Sequence, residues 1–318
     1  MGSYVVRRVL ALLPTLFFAS VIVFVTVRLI PGDVIDLMLS ERDISTEQLT
    51  RAQLLAALGL DKPLWQQYLH WAGNIAFRGD LGKSLWHGTP VWDQLASRLP
   101  VSVELGLMAM VFALLLAVPI GVYSAIRQDT AADYVTRSLS ILMLSVPAFW
   151  VGTIVMVFPS IWWGWSPPVE YVYFKDNPLL NLKHMLLPAL VLGMGLSAVT
   201  MRMTRTMMLE VLRQDYIRTA WAKGLNERLV VMRHALRNAL IPVVTLVGLQ
   251  APLLIGGAVI IEQIFVIPGM GLLLLDAVSQ RDYPLISGLF LVVGVGVTLI
   301  NLLVDLSYGV LDPRVRQR

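Results

Sequence analysis

The chain has 318 residues, of which 57% are hydrophobic and 14% charged, with a net charge of +4, and its mean hydropathy is +0.71. Soluble domains hold about 45–50% apolar and about 25% charged residues, so the composition excludes a soluble globular domain and indicates an integral membrane protein. The cations lie beside apolar runs, which argues against nucleic acid, and the absence of cysteine excludes disulfide and thiol chemistry while leaving the redox compartment open.

A spanning helix requires about 20 mainly apolar residues. Six stretches meet this: Val9–Ile30, Leu105–Ile126, Ser138–Trp163, Met185–Met201, Ala239–Ile261 and Leu285–Val304. Arg28 is the single charge in them, and it lies near a span end where a long side chain can snorkel to the headgroups. Val9–Ile30 follows Arg7 and Arg8 but is longer than a signal-peptide apolar region and lacks an A-x-A site after it, so it is expected to remain attached. Six crossings place both termini on one side. With the amino terminus inside, fifteen of the 25 basic residues fall in inner segments. Eight of these lie between Arg202 and Arg237, and the short outer loops hold only Lys175, Lys183 and Arg281. Both termini are therefore expected to be cytoplasmic.

The chain divides into a first span (1–30), an extracytoplasmic helical segment (31–100), a membrane core (101–310) carrying a cytoplasmic loop (202–238), and a tail (311–318). In the outer segment, Ser45-Thr46-Glu47-Gln48 has capping-box spacing and predicts a helix ending near Gly59. A second helix is expected from Pro63 to Phe77, since proline is tolerated in a first turn, with Trp65, Leu69, Ala72 and Ile75 on one face. Trp65, Trp71, Trp86 and Trp92 are read either as interface anchors or as the core of a small cap. Gly82-Lys83-Ser84 resembles the end of a phosphate-binding loop, but Phe77 stands where that motif needs glycine, so a turn is expected. His70, His87, His184 and His234 are too scattered for a metal cluster, and neither a G-x-S-x-G elbow nor an H-E-x-x-H pair occurs. The chain is not expected to be an enzyme by itself, nor to hold a metal or cofactor.

Residues 202–238 are too polar to span and too rich in Leu, Met and Arg for disorder. Met208, Leu212, Ile217 and Ala220 predict a helical stripe, ended by Gly224 as a C-cap. A second helix is expected from about Asn226 to Asn238. An ordinary basic loop attracted to anionic lipid is the plain alternative.

At this loop the sequence resembles the permease subunits of ATP-binding-cassette importers, specifically the B-type subunit of dipeptide and oligopeptide systems. The resemblance runs along almost the whole chain: Arg7-Arg8, PGD at Pro31–Asp33, GDLGKS at Gly79–Ser84, Pro90-Val91, DYIRTAWAKGL at Asp215–Leu225, RHALRNALIPV at Arg233–Val243, EQIFVIPGMG at Glu262–Gly271, RDYP at Arg281–Pro284 and LDPR at Leu311–Arg314. It implies an all-α membrane protein of six transmembrane helices with the type I importer permease fold, forming half of a heterodimeric channel. It also implies a second homologous permease, two cytoplasmic ATPases that hold ATP and Mg, and an external substrate-binding protein. The matched loop implies a coupling helix docking on an ATPase, through Asp215, Tyr216, Arg218, Thr219, Ala220, Ala222, Lys223, Gly224 and Leu225. Where the wider family has glutamate, alanine, alanine before the glycine, this chain has Arg218, Thr219, Ala220, and a frequent later proline is Arg237; the peptide-type subfamily reads much like this chain.

Polar groups at membrane depth are costly and face a cavity or another helix. Glu104, Gln250, Glu262, Asn301 and Asp305 are the candidates, with Gln250, Glu262 and Asp305 assigned to the translocation path. Glu262 and Asp305 sit at span ends, where interfacial solvation is the plainer reading. Gln250 lies beside Pro252 and near Gly248, Gly256 and Gly257, which suits either a path-lining bend or helix contact. Glu262–Pro284 is expected to form an outer lip. A self-sufficient secondary transporter or channel is the alternative function, but it calls for membrane-embedded acids and repeated halves, and no span carries an acid near its centre. A membrane scaffold would not need the glycine-hinged basic loop. The expected location is a bacterial or archaeal cytoplasmic membrane, and the substrate, whether peptide, nickel, glutathione or sugar, is not legible.

Overall fold

A computed structural model describes residues 2–29, 61–165, 171–252 and 259–311. The described residues are almost wholly helical. In chain order the helices are α1 Gly2–Arg28, α2 Leu64–Arg78, α3 Val91–Ile126, α4 Ala131–Ser145, α5 Ala148–Trp163, α6 Pro178–Leu212, α7 Asp215–Ala222, α8 Glu227–Gln250, α9 Val259–Ile264, α10 Met270–Ser279 and α11 Tyr283–Leu311. Helix is the natural solution for apolar chain in lipid, because every backbone polar group is satisfied within the segment. Five of these helices are long and apolar enough to cross a membrane, and α4 with α5 forms a sixth candidate as a bent pair. The expected helix from Ser45 to Gly59 lies outside the described residues.

The third expected span is corrected. Ser138–Trp163 is not one helix: the chain bends by 88° between α4 and α5. Pro147 causes the break. It has no N–H to donate, and its ring drives the preceding residue out of the helical region; Val146 accordingly has φ −92° and ψ 119°. Two other span limits also move. Met185–Met201 is the centre of the 35-residue α6, and the expected loop helix from Asn226 runs on without a break to Gln250, so it is continuous with the start of the fifth span.

The chain forms two compact units, residues 1–99 with 273–299, and residues 100–272 with 300–318. In the first, α1 exposes Leu10, Leu13, Phe17, Phe18 and Ile22 and buries Phe24 and Val27. Tyr68 and Trp71 of α2 pack on Phe24, with centroids 5.4 and 5.6 Å away. Helix α2 therefore meets α1 through Gln67, Tyr68 and Trp71, whereas Trp65 and Leu69 of the expected face are more than 60% exposed. Arg28 does not extend freely as a snorkelling side chain would. Its guanidinium stacks 4.2 Å over Phe24, and its Nε donates to Gln67. Gly79, with φ +64°, closes α2 in the left-handed conformation. Gly82-Lys83-Ser84 is not the expected turn: Lys83 pairs with Pro90 in an isolated antiparallel bridge and the chain turns at residues 85–87, while Gly82 N–H donates to Asp80. Buried Ser84 donates to Asp282 at 2.5 Å, and Asp282 accepts from Leu285 N–H at the start of α11.

In the second unit α3 and α6 approach closely where side chains are missing. A Cβ on Gly193 would stand 2.6 Å from Ala109 O, and one on Gly121 would stand 2.8 Å from Met201 O. Small residues at such crossings let backbones meet and recover dispersion energy that lipid cannot supply. Prolines 119, 188 and 242 lie inside continuous helices, which membrane proteins tolerate because neighbouring groups re-satisfy the freed carbonyls.

Candidate coupling site

The site is built where α6 ends. Arg213 caps α6, Gln214 in extended conformation turns the chain, and the eight-residue α7 follows. An isolated helix of this length is unstable in water, so α7 must be held by packing. Ile217 and Ala220, three residues apart and hence on one face, are buried in a cluster with Val122 and Ala125 of α3, Met208 of α6, and Val230, Val231, Ala235 and Ala239 of α8. The expected stripe is therefore real in its burial but belongs to two helices. Met208 and Leu212 end α6 and Ile217 and Ala220 lie on α7, all facing the same cluster.

The opposite face of α7 is exposed. Asp215, Arg218, Thr219 and Ala222 face outward, as do the aromatic rings of Tyr216 and Trp221, each 44% exposed. Arg218 pairs with Asp215 at 3.5 Å, with both side chains open to solvent, a geometry that contributes little stability. Lys223 caps the helix, and Gly224 at φ +76° reverses the chain. Its N–H donates to Trp221 O, and Leu225 N–H donates back to Ala220 O, so the last carbonyls of α7 are satisfied by a left-handed turn. Asn226 then opens α8, its side chain accepting from Leu229 N–H at 2.9 Å. Tyr216 OH accepts from Asn238 Nδ2 at 2.8 Å, tying α7 to α8. Within α8, Val230–Ala235 winds as a π-helix, a rare form that recurs at functional positions.

The polar groups expected at membrane depth differ in their surroundings. Gln250 is partly exposed at the last residue of α8, Asn301 is exposed on α11, and the side chain of Asp305 lies outside the described residues. Glu262 is not solvated at an interface; it is completely buried. Its carboxylate accepts from Ser102 Oγ at 2.6 Å and from the N–H groups of Gly271 and Leu272 at 2.7 and 3.0 Å, and Met270 N–H donates to Ser102 Oγ. It thus holds the first turn of α10, where a negative charge is favoured by the helix dipole. Gly269 must lack a side chain, because a Cβ there would lie 2.5 Å from that carboxylate. Glu104 accepts from Tyr171 OH at 3.4 Å. Burial, more than the neighbouring Glu104 charge, pushes the Tyr171 phenol above its usual range.

Sequence reasoning missed a buried ion pair. Asp133 on α4, fully buried, receives Nε and Nη2 of Arg205 on α6 at 2.8 and 2.7 Å, Ser124 Oγ at 2.5 Å, and Asp129 N–H at 3.1 Å. Bidentate geometry with the remaining oxygen sites filled is what lets a buried carboxylate stay charged. The available signal was weak: an acid just outside an apolar run and an arginine 72 residues later.

Two family models match the chain: the binding-protein-dependent transport system inner membrane component over residues 117–317, and its N-terminal membrane component over residues 1–106. Curated relatives match along their whole length. The dipeptide transport system permease protein DppB of Escherichia coli K12 is 42% identical with both chains fully covered, and the oligopeptide transport system permease protein AppB of Bacillus subtilis 168 is 41% identical over 99% of each. The glutathione transport system permease protein GsiC of Escherichia coli K12 is 40% identical, again with both chains fully covered. The apolar helices, the anchored α7 and the match over both regions give one conclusion: the chain belongs to the family of binding-protein-dependent transport system inner membrane components, as a multi-pass, non-catalytic permease subunit of an ABC importer.

Proposed function

We propose that this permease carries di- or oligopeptides inward, as half of a translocation path completed by a second homologous permease. Two cytoplasmic ATP-binding subunits, which hold the ATP and Mg, drive it, and an extracytoplasmic protein delivers the solute. The basic residues of the inner segments support a cytoplasmic placing of both termini and of residues 202–238, in a bacterial or archaeal cytoplasmic membrane. The names of the relatives above support a peptide or a peptide-like solute.

One observation carries the coupling role: α7 is buried on one face against α3, α6 and α8 while the other presents Tyr216, Arg218, Thr219, Trp221 and Ala222 to solvent. A lever needs both properties, a partner-facing surface and a fixed seat on the elements that must move. Asp215, Lys223, Gly224 and Leu225 shape its ends, and Ala220 seats it. Deleting Asp215–Lys223, or replacing Gly224, is expected to abolish solute-stimulated ATPase and uptake by the assembled importer; intact stimulation would refute the role. Gln250 and Asp305 remain our candidates for the path. We give Glu262 the task of holding the lip formed by α9 and the start of α10. Cysteine introduced at position 250, in a chain that otherwise has none, is expected to react with an aqueous thiol reagent in at least one transport state.

A further inference from the structure

A cavity of about 330 Å³ lies between α4 and α6, lined by Thr136, Arg137, Ser140, Ile141, Met201, Arg202, Arg205 and Thr206. Three arginines line it, and the acid that partners Arg205, Asp133, is already saturated. It binds Arg205 through both oxygens and also takes Ser124 Oγ and Asp129 N–H. The hydroxyls of the wall are likewise spent within α4 and α6: Thr136 on Ala132 O, Ser140 on Thr136 O and Met201 Sδ, Thr206 on Arg202 O. What remains to face an occupant is cationic. Among the described residues Arg137 and Arg202 make no ion pair; Arg137 meets only the ring of Tyr134. Arg205 is held in place by Asp133 and keeps up to three of its five N–H donors. A second cavity, of about 440 Å³, shares Arg205 and Thr206 with the first and adds Arg213 and its neighbour Glu210.

We infer that this cavity binds the phosphate group of an anionic phospholipid from the cytoplasmic leaflet. Position and lining argue together for a lipid. Met201 is the last residue of the apolar run and Arg202 the first charge after it. Helix α6, of 35 residues, is about 52 Å long against a hydrocarbon core of about 30 Å, so its cationic end stands at headgroup depth. Ile141, 59% exposed, and Met201 give the cavity an apolar wall beside its cationic groups, as an acyl chain below a phosphate requires. The inference rests on the orientation proposed above, and its test leaves the coupling role untouched, because α7 is not altered.

The assembled importer, purified in neutral detergent, is titrated with phosphatidylglycerol, phosphatidylcholine and inorganic phosphate, and lipid retention is read by native mass spectrometry. Each basic residue near a membrane surface favours anionic lipid about five-fold, so Arg137 and Arg202 together give a preference of about thirty-fold for phosphatidylglycerol over phosphatidylcholine. Arg137→Gln with Arg202→Gln is expected to erase it, while Lys175→Gln in a remote loop keeps it. Arg202→Gln alone, which spares more of the fold, is expected to remove about five-fold. Equal retention of the two lipids, or an undiminished preference in both arginine variants, overturns the inference. Displacement of phosphatidylglycerol by millimolar phosphate also overturns it, since the occupant is then the free anion.

Discussion

Ile217→Ala isolates the seat of α7 from its outward face. Ile217 is fully buried and touches no solvent, and among the buried residues of α7 only Ala220 shares its task. Truncating a buried isoleucine to alanine costs about 2–5 kcal/mol, the spread reflecting how far the site collapses into the space left. Here collapse is restricted, because the cluster around Ile217 is contributed by three other helices that also pack on one another. A cost of about 3 kcal/mol raises a local opening constant by about 150-fold. The loss is local, since an eight-residue helix has little stability of its own and α6 and α8 keep their remaining contacts. Amide hydrogen exchange of the purified chain in detergent is the direct assay. Residues 215–225 are expected to exchange about a hundred-fold faster in the variant, while residues 185–201 of α6 are unchanged. Arg218→Ala, at an exposed position, serves as the comparison and is expected to leave both segments alone. If Ile217→Ala alters exchange across 215–225 by less than about three-fold, the burial does not hold α7 and the reasoning fails.

Gly224→Ala is expected to cost about 1–2 kcal/mol of local stability. No atom lies within 4 Å of a Cβ added there, so the cost is conformational, and Gly224→Asn is expected to recover most of it in the same exchange assay. Glu262→Gln replaces one acceptor oxygen by a donor facing the N–H groups of α10 or Ser102, and a loss of about 1–3 kcal/mol should lower the thermal midpoint; Ser102→Ala should lower it less. Gly193→Ala places a methyl 2.6 Å from Ala109 O, so α3 and α6 must separate, costing about 1–3 kcal/mol; size-exclusion recovery after heating is the check, and full recovery counts against a tight crossing.

Local chemistry was legible where one residue decides the backbone. Pro63 opens α2, Gly224 ends the turn after α7, and Asn226 opens α8. Apolar runs located the membrane helices because their length is set by the bilayer and not by tertiary contacts. The bend at Pro147 escaped because hydropathy runs straight through it, and proline alone does not decide: Pro119, Pro188 and Pro242 sit within unbroken helices. Helical spacing from Met208 to Ala220 suggested one helix because the turn at Arg213 and Gln214 returns the chain to the same cluster. The polar contacts were out of reach for a different reason. Ser84 meets Asp282 across 198 residues and Ser102 meets Glu262 across 160, and nothing in a periodic pattern joins residues that far apart. Glu262 looked solvated because it follows an apolar run, yet a buried carboxylate with three donors is as well placed as a wet one.

The packing also bears on how a push at α7 would travel. Helices α3 and α6 meet at Gly193 and Gly121 with no room for a methyl group, so neither slides on the other without losing close contact. Ile217 sits among Val122, Ala125 and Met208 of that pair. A displacement of α7 must therefore carry α3 and α6 as one body or break the cluster. Helix α8 is attached differently. It joins the same cluster through Val230, Val231 and Ala235, which are the residues wound as a π-helix, a geometry with less regular bonding than the turns on either side. Under the coupling role proposed here, the stiff pair transmits the motion and the π segment is where α8 can change its winding without leaving its seat. Packed interfaces are bistable, not continuously deformable, so under that proposed role a small shift at α7 would select between two packings of α3, α6 and α8.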